Sequence, residues 1–166
     1  MMPLEVGQHW SYSVSTRFNE YITQVKVVRK AAVGGVEGYV LSGPMGESHL
    51  AWKDRTLIGE KFANTRFTPP IPILVDSSKR ERRHWTGTAQ GIWGKFSGTA
   101  ILNQAPSEEQ IGGRKVSVVK SELTIENPKG KSIRLQTMFQ PGAGIATQRQ
   151  WVGGSLLVRL ERLSGS

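Results

Sequence analysis

The chain contains no cysteine. Disulfides, thiolate nucleophiles and sulfur-ligated zinc or iron–sulfur centres are therefore excluded. Histidine is scarce: His9, His49 and His84 stand 40 and 35 positions apart, whereas metal sites usually draw on at least one close pair. Aspartate occurs only as Asp54 and Asp76, both at turn-like positions. The eleven glutamates show no spacing that sets a general acid beside a base. From these gaps we expect no catalytic residue, no metal and no cofactor. No stretch approaches the ~20 apolar residues of a membrane-crossing helix, so no transmembrane segment is expected. The opening Met1-Met2-Pro3-Leu4-Glu5-Val6-Gly7 has neither a basic start nor an apolar run. As given it reads as cytoplasmic, or as a cell-envelope protein whose leader has been removed.

What the chain does have is alternation. Trp10, Tyr12 and Val14 share one parity, as do Ile133, Leu135, Thr137 and Phe139, and later Leu156, Val158 and Leu160. Side chains of an extended strand point to opposite faces in turn, so a period of two marks a sheet with one buried face. No window places apolar residues three and four apart for the ten or so residues a helix needs. The 19 glycines and 8 prolines cut the alternating runs short, as turns do. At 166 residues the chain reads as a single β domain over 1–166. We expect an all-β fold: one antiparallel, strongly curled sheet, an open barrel or half-barrel of about nine to eleven strands with little helix.

Strands are expected at Gln8–Thr16, Tyr21–Lys30, Val36–Leu41, Ser48–Lys53, Thr56–Lys61, His84–Ile92, Lys95–Leu102, Arg114–Glu126, Ser132–Gln140, Ile145–Val152 and Ser155–Leu163. Pro69, Pro70 and Pro72 lack the amide proton of a central ladder, so Thr68–Pro72 is expected to be an extended crossing segment before Ile73–Val75. Gln104–Gly113 is expected to be a loop or one helical turn. In Arg114–Glu126 the buried parity slips between Val118 and Val119, which predicts a β-bulge or a strand passing between sheet surfaces.

Two features bear on function. The first is charge: 22 Lys+Arg against 13 Asp+Glu give +9, which favours anionic partners. It is densest at Lys79, Arg80, Arg82 and Arg83, followed by His84 and Trp85. Cations beside an aromatic ring suit phosphates or headgroups, so these four and Trp85 are candidate anion-binding residues. A solvated lead-in to a strand whose tryptophan enters the core explains the same run. The second feature is the five tryptophans, which pack a sheet or line a cavity. Trp10, Tyr12, Ile133, Leu135 and Phe139 are the candidate ligand-facing residues. Gly142-Ala143-Gly144 lacks the third glycine and the following helix of a dinucleotide site, and reads as a hairpin turn.

Pro3-Leu4-Glu5-Val6-Gly7-Gln8-His9-Trp10-Ser11-Tyr12 resembles the opening of a loose group of bacterial β-rich domains. Phe139-Gln140-Pro141-Gly142-Ala143-Gly144-Ile145-Ala146 resembles their near-C-terminal glycine turn. The group is similar in turn to the half-barrel of the lipoprotein-localisation factors. The resemblance implies a concave sheet face that holds an apolar or amphiphilic small molecule, and it brings no catalytic residue. Three readings follow: a non-catalytic binding or structural module with such a ligand; an anionic-surface binder, for nucleic acid or headgroups, through residues 79–83; and, last, an enzyme.

Overall fold

Twelve strands run up and down and close on themselves. They are β1 (His9–Thr16), β2 (Glu20–Val33), β3 (Val36–Gly43), β4 (Gly46–Lys53), β5 (Thr56–Phe62), β6 (Thr65–Val75), β7 (Glu81–Gly91), β8 (Gly94–Ile111), β9 (Arg114–Glu126), β10 (Ser132–Gln140), β11 (Gly144–Val152) and β12 (Ser155–Arg162). Each pairs antiparallel with its sequence neighbours, and β1 pairs with β12, so the sheet is a closed barrel. The computed structural model describes residues 4–44, 46–62, 64–91, 94–127, 129–130 and 132–163. Among these no helix is long and apolar enough to cross a membrane.

The expected all-β, antiparallel architecture is present, but an open half-barrel of fewer strands is not. Closure joins Val14 to Leu160 and Tyr12 to Arg162 across the first and last strands, removing the two edges an open sheet would expose. The additional strand is β6. Its prolines were expected to keep it out of a ladder, yet it pairs with β5 at Thr56–Val75, Leu57–Leu74 and Gly59–Ile71. Opposite Glu60 alone, β6 carries the detour Phe67–Pro70, because the next facing pair is Lys61–Arg66. Only near this detour does β6 meet β7, through Arg66–Gln90, Phe67–Ala89 and Thr68–Thr88. The prolines thus sit where one side of the strand has no ladder to lose.

Gln104–Ile111, expected to be a loop or helical turn, is the end of β8, paired with Ser121 through Arg114 on β9. Its apolar alternation is missing because β7 stops opposite Gln104, and Pro106 lies beyond that point on an edge. The expected bulge in β9 is also absent, as its registers with β8 and β10 run without a shift. Val118 and Val119 are both buried, one on each face of the strand. Bulges occur instead between β10 and β11 at Met138/Phe139 and between β11 and β12 at Gln150/Trp151. The second pairs Leu156 with outward-facing Trp151 and leaves Leu157 without a partner. Leu156, expected on the inner face, is therefore 45% exposed.

The barrel is not hollow. Leu50, Leu57, Ile71, Ile73, Leu74, Leu102 and Phe139 are all but inaccessible and fill its middle. The last part of β6, where Ile73, Leu74 and Val75 are all buried, is fastened from within: the Ser121 hydroxyl donates to the Ile73 carbonyl at 2.8 Å. The Gln104 amide accepts from the Val75 N–H and donates to the Val75 carbonyl. Among the described residues, clefts open towards both ends.

Candidate functional site

In an up-and-down barrel the turns fall alternately at two ends. The turns β1–β2, β7–β8, β9–β10 and β11–β12 share one end, here the upper. Inner-face residues of β8 to β11 gather there. Ala89 is fully buried and faces Phe96, and Ile125 faces Ile133, which faces Val152. The start of β8 runs on past its first pair with β9, Thr99–Glu126, and Phe96, Ile133 and Val152 stay half-buried. They floor a cleft of about 620 Å³ together with Ile125. Lys95 and Lys129 stand on its rim beside Ser97, Asn127 and Ser132. Both lysines are exposed, and neither forms an ion pair with a described residue. An apolar floor under two free cations suits a molecule with an apolar body and an anionic head.

The other ligand-facing candidates lie elsewhere. Trp10 and Tyr12 line a cavity of only about 70 Å³ beneath the β3–β4 turn, with Val25, Leu41, Leu50 and Phe62. Their polar atoms are already used: the Trp10 indole N–H donates to the Ala143 carbonyl at 2.8 Å and the Tyr12 hydroxyl to the Ile145 carbonyl at 2.7 Å. Burial pushes the Tyr12 phenol well above its ordinary pKa, and the nearby Arg162 cation offsets this only in part. Leu135 is buried in the packed middle, and Phe139 reaches a separate cleft at the lower end. The five candidates therefore share the inner face but line no common cavity. Of them Ile133 belongs to the large upper cleft; sequence reading did not single out Phe96, Val152, Lys95 and Lys129. The alternation of Phe96, Gly98, Ala100 and Leu102 was the available signal for the first.

The basic run is divided by strand parity. Trp85 is 6% exposed, packs edge-on against Phe67 at 5.8 Å, and donates its indole N–H to the Pro69 carbonyl at 2.9 Å. Its ring is packed into the barrel, whereas the cations named beside it in the sequence stay at the surface. Arg83 shares the parity of Trp85 and pairs with Glu81 at 2.9 Å. Hydrogen bonds from Arg83 and then Ser77 hold the Glu81 carboxyl below the usual carboxylate range. Lys79 is exposed on the loop before β7. Arg80 and Arg82 face outward into a groove of about 510 Å³ that also takes Lys120, Asn103 and Glu122. Lys120, from β9, is a cation that sequence proximity could not reveal. Among the described residues no cluster of three or more metal-ligating side chains occurs.

A closed antiparallel β-barrel with a packed middle and a cleft at one end is the class of protein these observations define. No family model matches the chain, and no curated protein does. Solved structures share the fold. A candidate lipoprotein from Parabacteroides distasonis is 11% identical with a TM-score of 0.53, covering 97% of this chain and 95% of that one. A candidate exported protein with a YmcC-like fold from Bacteroides fragilis is 10% identical with a TM-score of 0.54, covering 97% and 96%. The hypothetical lipoprotein YmcC from Escherichia coli is 14% identical with a TM-score of 0.47, covering 95% and 85%. The likeness is one of fold. With the closure of β1 on β12, it supports a closed β-barrel in place of the localisation-factor half-barrel that the sequence motifs suggested.

Proposed function

We propose that this barrel is a non-catalytic binding module that holds the apolar part of a small anionic amphiphile in its upper cleft. The observation that carries the reading is the gathering of half-buried Phe96, Ile133 and Val152 in one cleft of about 620 Å³ under Lys95 and Lys129, which form no ion pair with a described residue. Two structures with the same fold are described as a candidate lipoprotein and a candidate exported protein, which supports the cell envelope as the setting.

Calorimetric titration with dodecanoate and with neutral dodecyl maltoside tests this. Dodecanoate should bind more tightly than the maltoside. Ile133→Glu should weaken dodecanoate by roughly tenfold or more, since it places a charge on the apolar floor. Lys95→Gln with Lys129→Gln should erase the preference for the anion. Equal binding by wild type and Ile133→Glu would reject the cleft.

A second reading rests on Arg80 and Arg82, which form no ion pair with a described residue and meet Lys120 in one groove. Phosphate chemistry fits that groove, and binding to an oligonucleotide should then fall with salt by roughly 0.7–0.9 log units per contact. Replacing Arg80, Arg82 and Lys120 by glutamine should flatten that dependence. An unchanged slope rejects this reading.

A further inference from the structure

The upper end carries more than the cleft. The β1–β2 turn holds Phe18 at its tip, 90% exposed, followed at the start of β2 by Tyr21 at 40% and Ile22 at 72%. The start of β12 adds Leu156 at 45% and Leu157 at 41%. Strand order places Phe18 near Leu156 and Leu157, because β2, β1, β12 and β11 are successive neighbours in the barrel wall and Thr16 faces Val158; Ile22, opposite Ser13, extends the patch down the wall to the level of Glu161. The same arc continues into β10, β9 and β8, whose upper ends form the cleft. Large apolar side chains so exposed are otherwise rare on this barrel, where only Val6 and Val28 are comparable among the described residues. An apolar patch confined to one end calls for a partner.

Its surroundings say which. Arg17 adjoins Phe18, and Lys95 and Lys129 stand on the same end; all three are exposed and outside the ion pairs of the described residues. The apolar groups project from hairpin tips and strand starts and form no flat face, so they suit insertion between lipids better than matching to a folded surface. Protruding apolar tips ringed by cations are complementary to an anionic bilayer, in which apolar side chains enter the acyl boundary and cations stay at the headgroups.

We propose that the upper end of the barrel docks on an anionic lipid surface through Phe18, Ile22, Leu156 and Leu157, with Arg17, Lys95 and Lys129 at headgroup level. Docked in this way, the mouth of the cleft faces the bilayer, and an amphiphile passes between membrane and cleft without crossing water. This deepens the amphiphile reading and rests on it for its purpose, but the two fail separately.

The test is co-sedimentation of the full chain with vesicles of phosphatidylcholine alone and of phosphatidylcholine with about a third phosphatidylglycerol, beside dodecanoate calorimetry. Wild type should partition onto the anionic vesicles and much less onto the neutral ones. Phe18→Ser with Leu157→Ser should weaken that partition by roughly tenfold or more while dodecanoate binding is unchanged. Ile133→Glu should do the reverse. All three sites are outside the packed middle, so folding is checked by an unchanged thermal midpoint. Absence of wild-type binding to either vesicle at low salt overturns the docking proposal. So does indifference to Phe18→Ser with Leu157→Ser, or self-association of the wild type that this double change abolishes.

Discussion

The side chain of Gln104 on β8 takes the place of a strand beside Val75 on β6. It accepts from the Val75 N–H at 2.9 Å and donates to the Val75 carbonyl at 2.6 Å, all of it buried. This pairing, with Ser121 on the Ile73 carbonyl, explains how a strand rich in proline closes a barrel it barely pairs into. Gln104→Leu keeps much of the volume but strands one donor and one acceptor. We expect a loss of about 2–4 kcal/mol, read from urea unfolding, whereas Asn103→Leu on the exposed face should change little.

Gly87 is the other constraint on the β6–β7 seam. A Cβ there would lie 2.4 Å from the Thr68 carbonyl oxygen and 2.6 Å from the Trp85 ring. Neither neighbour is a flexible chain end. Gly87→Ala should therefore cost roughly 1–3 kcal/mol by forcing the seam apart, and Trp85 emission should shift to the red. The neighbouring exposed change Thr86→Ala should stay within about 0.5 kcal/mol of wild type.

Tyr12 makes stability depend on alkaline pH. Its phenol is raised above the ordinary 10.0, first by burial. A group whose folded pKa is raised contributes stability that is complete below the unfolded value and is lost as pH climbs past it. Stability should thus fall from about pH 10 upward, and spectrophotometric titration should show Tyr12 ionising only with unfolding. Tyr12→Phe should be less stable at neutral pH, since the bond to the Ile145 carbonyl is lost, and should show a shallower alkaline decline.

Adjacent residues on β10 test the face assignment. Leu135 is buried in the barrel, whereas Arg134 is exposed and stacks over Trp151 at 4.0 Å. Leu135→Asp should prevent folding, because an unpaired carboxylate would enter the core. Arg134→Asp should cost no more than about 1 kcal/mol, the worth of an exposed cation–π contact. Circular dichroism and thermal melting of the two variants decide the matter.

The period of two was enough to place β1, β10 and the alternating part of β12, since their inner residues are apolar wherever they meet the core. It failed where the physics is not apolar alternation. β6 is held by side-chain amides and hydroxyls contributed from β8 and β9, distant in sequence. The end of β8 runs beyond β7 and needs no apolar face. The bulge at Gln150/Trp151 turns Leu156 outward, a change of register that no local pattern announces. Barrel closure depends on β1 meeting β12, which a linear reading does not contain.

The site was less legible than the fold. Ile133 was visible from parity, but Lys95, at the start of β8, and Lys129, between β9 and β10, are brought to one rim by the barrel. The run 79–83 looked continuous in sequence; alternation sends Arg82 outward and Arg83 towards Glu81, while Trp85 enters the core. Phe18 drew no attention because a lone apolar residue in a turn carries no period, and its meaning comes from Ile22, Leu156 and Leu157 beside it.

The binding of an amphiphile in the upper cleft is tested most directly by native mass spectrometry of the chain purified from cells without detergent, alone and after addition of dodecanoate. We predict a bound species of added mass in the wild type, exchangeable for dodecanoate, and its loss in Ile133→Glu. A wild-type mass equal to the polypeptide alone, unchanged by dodecanoate, would contradict the account.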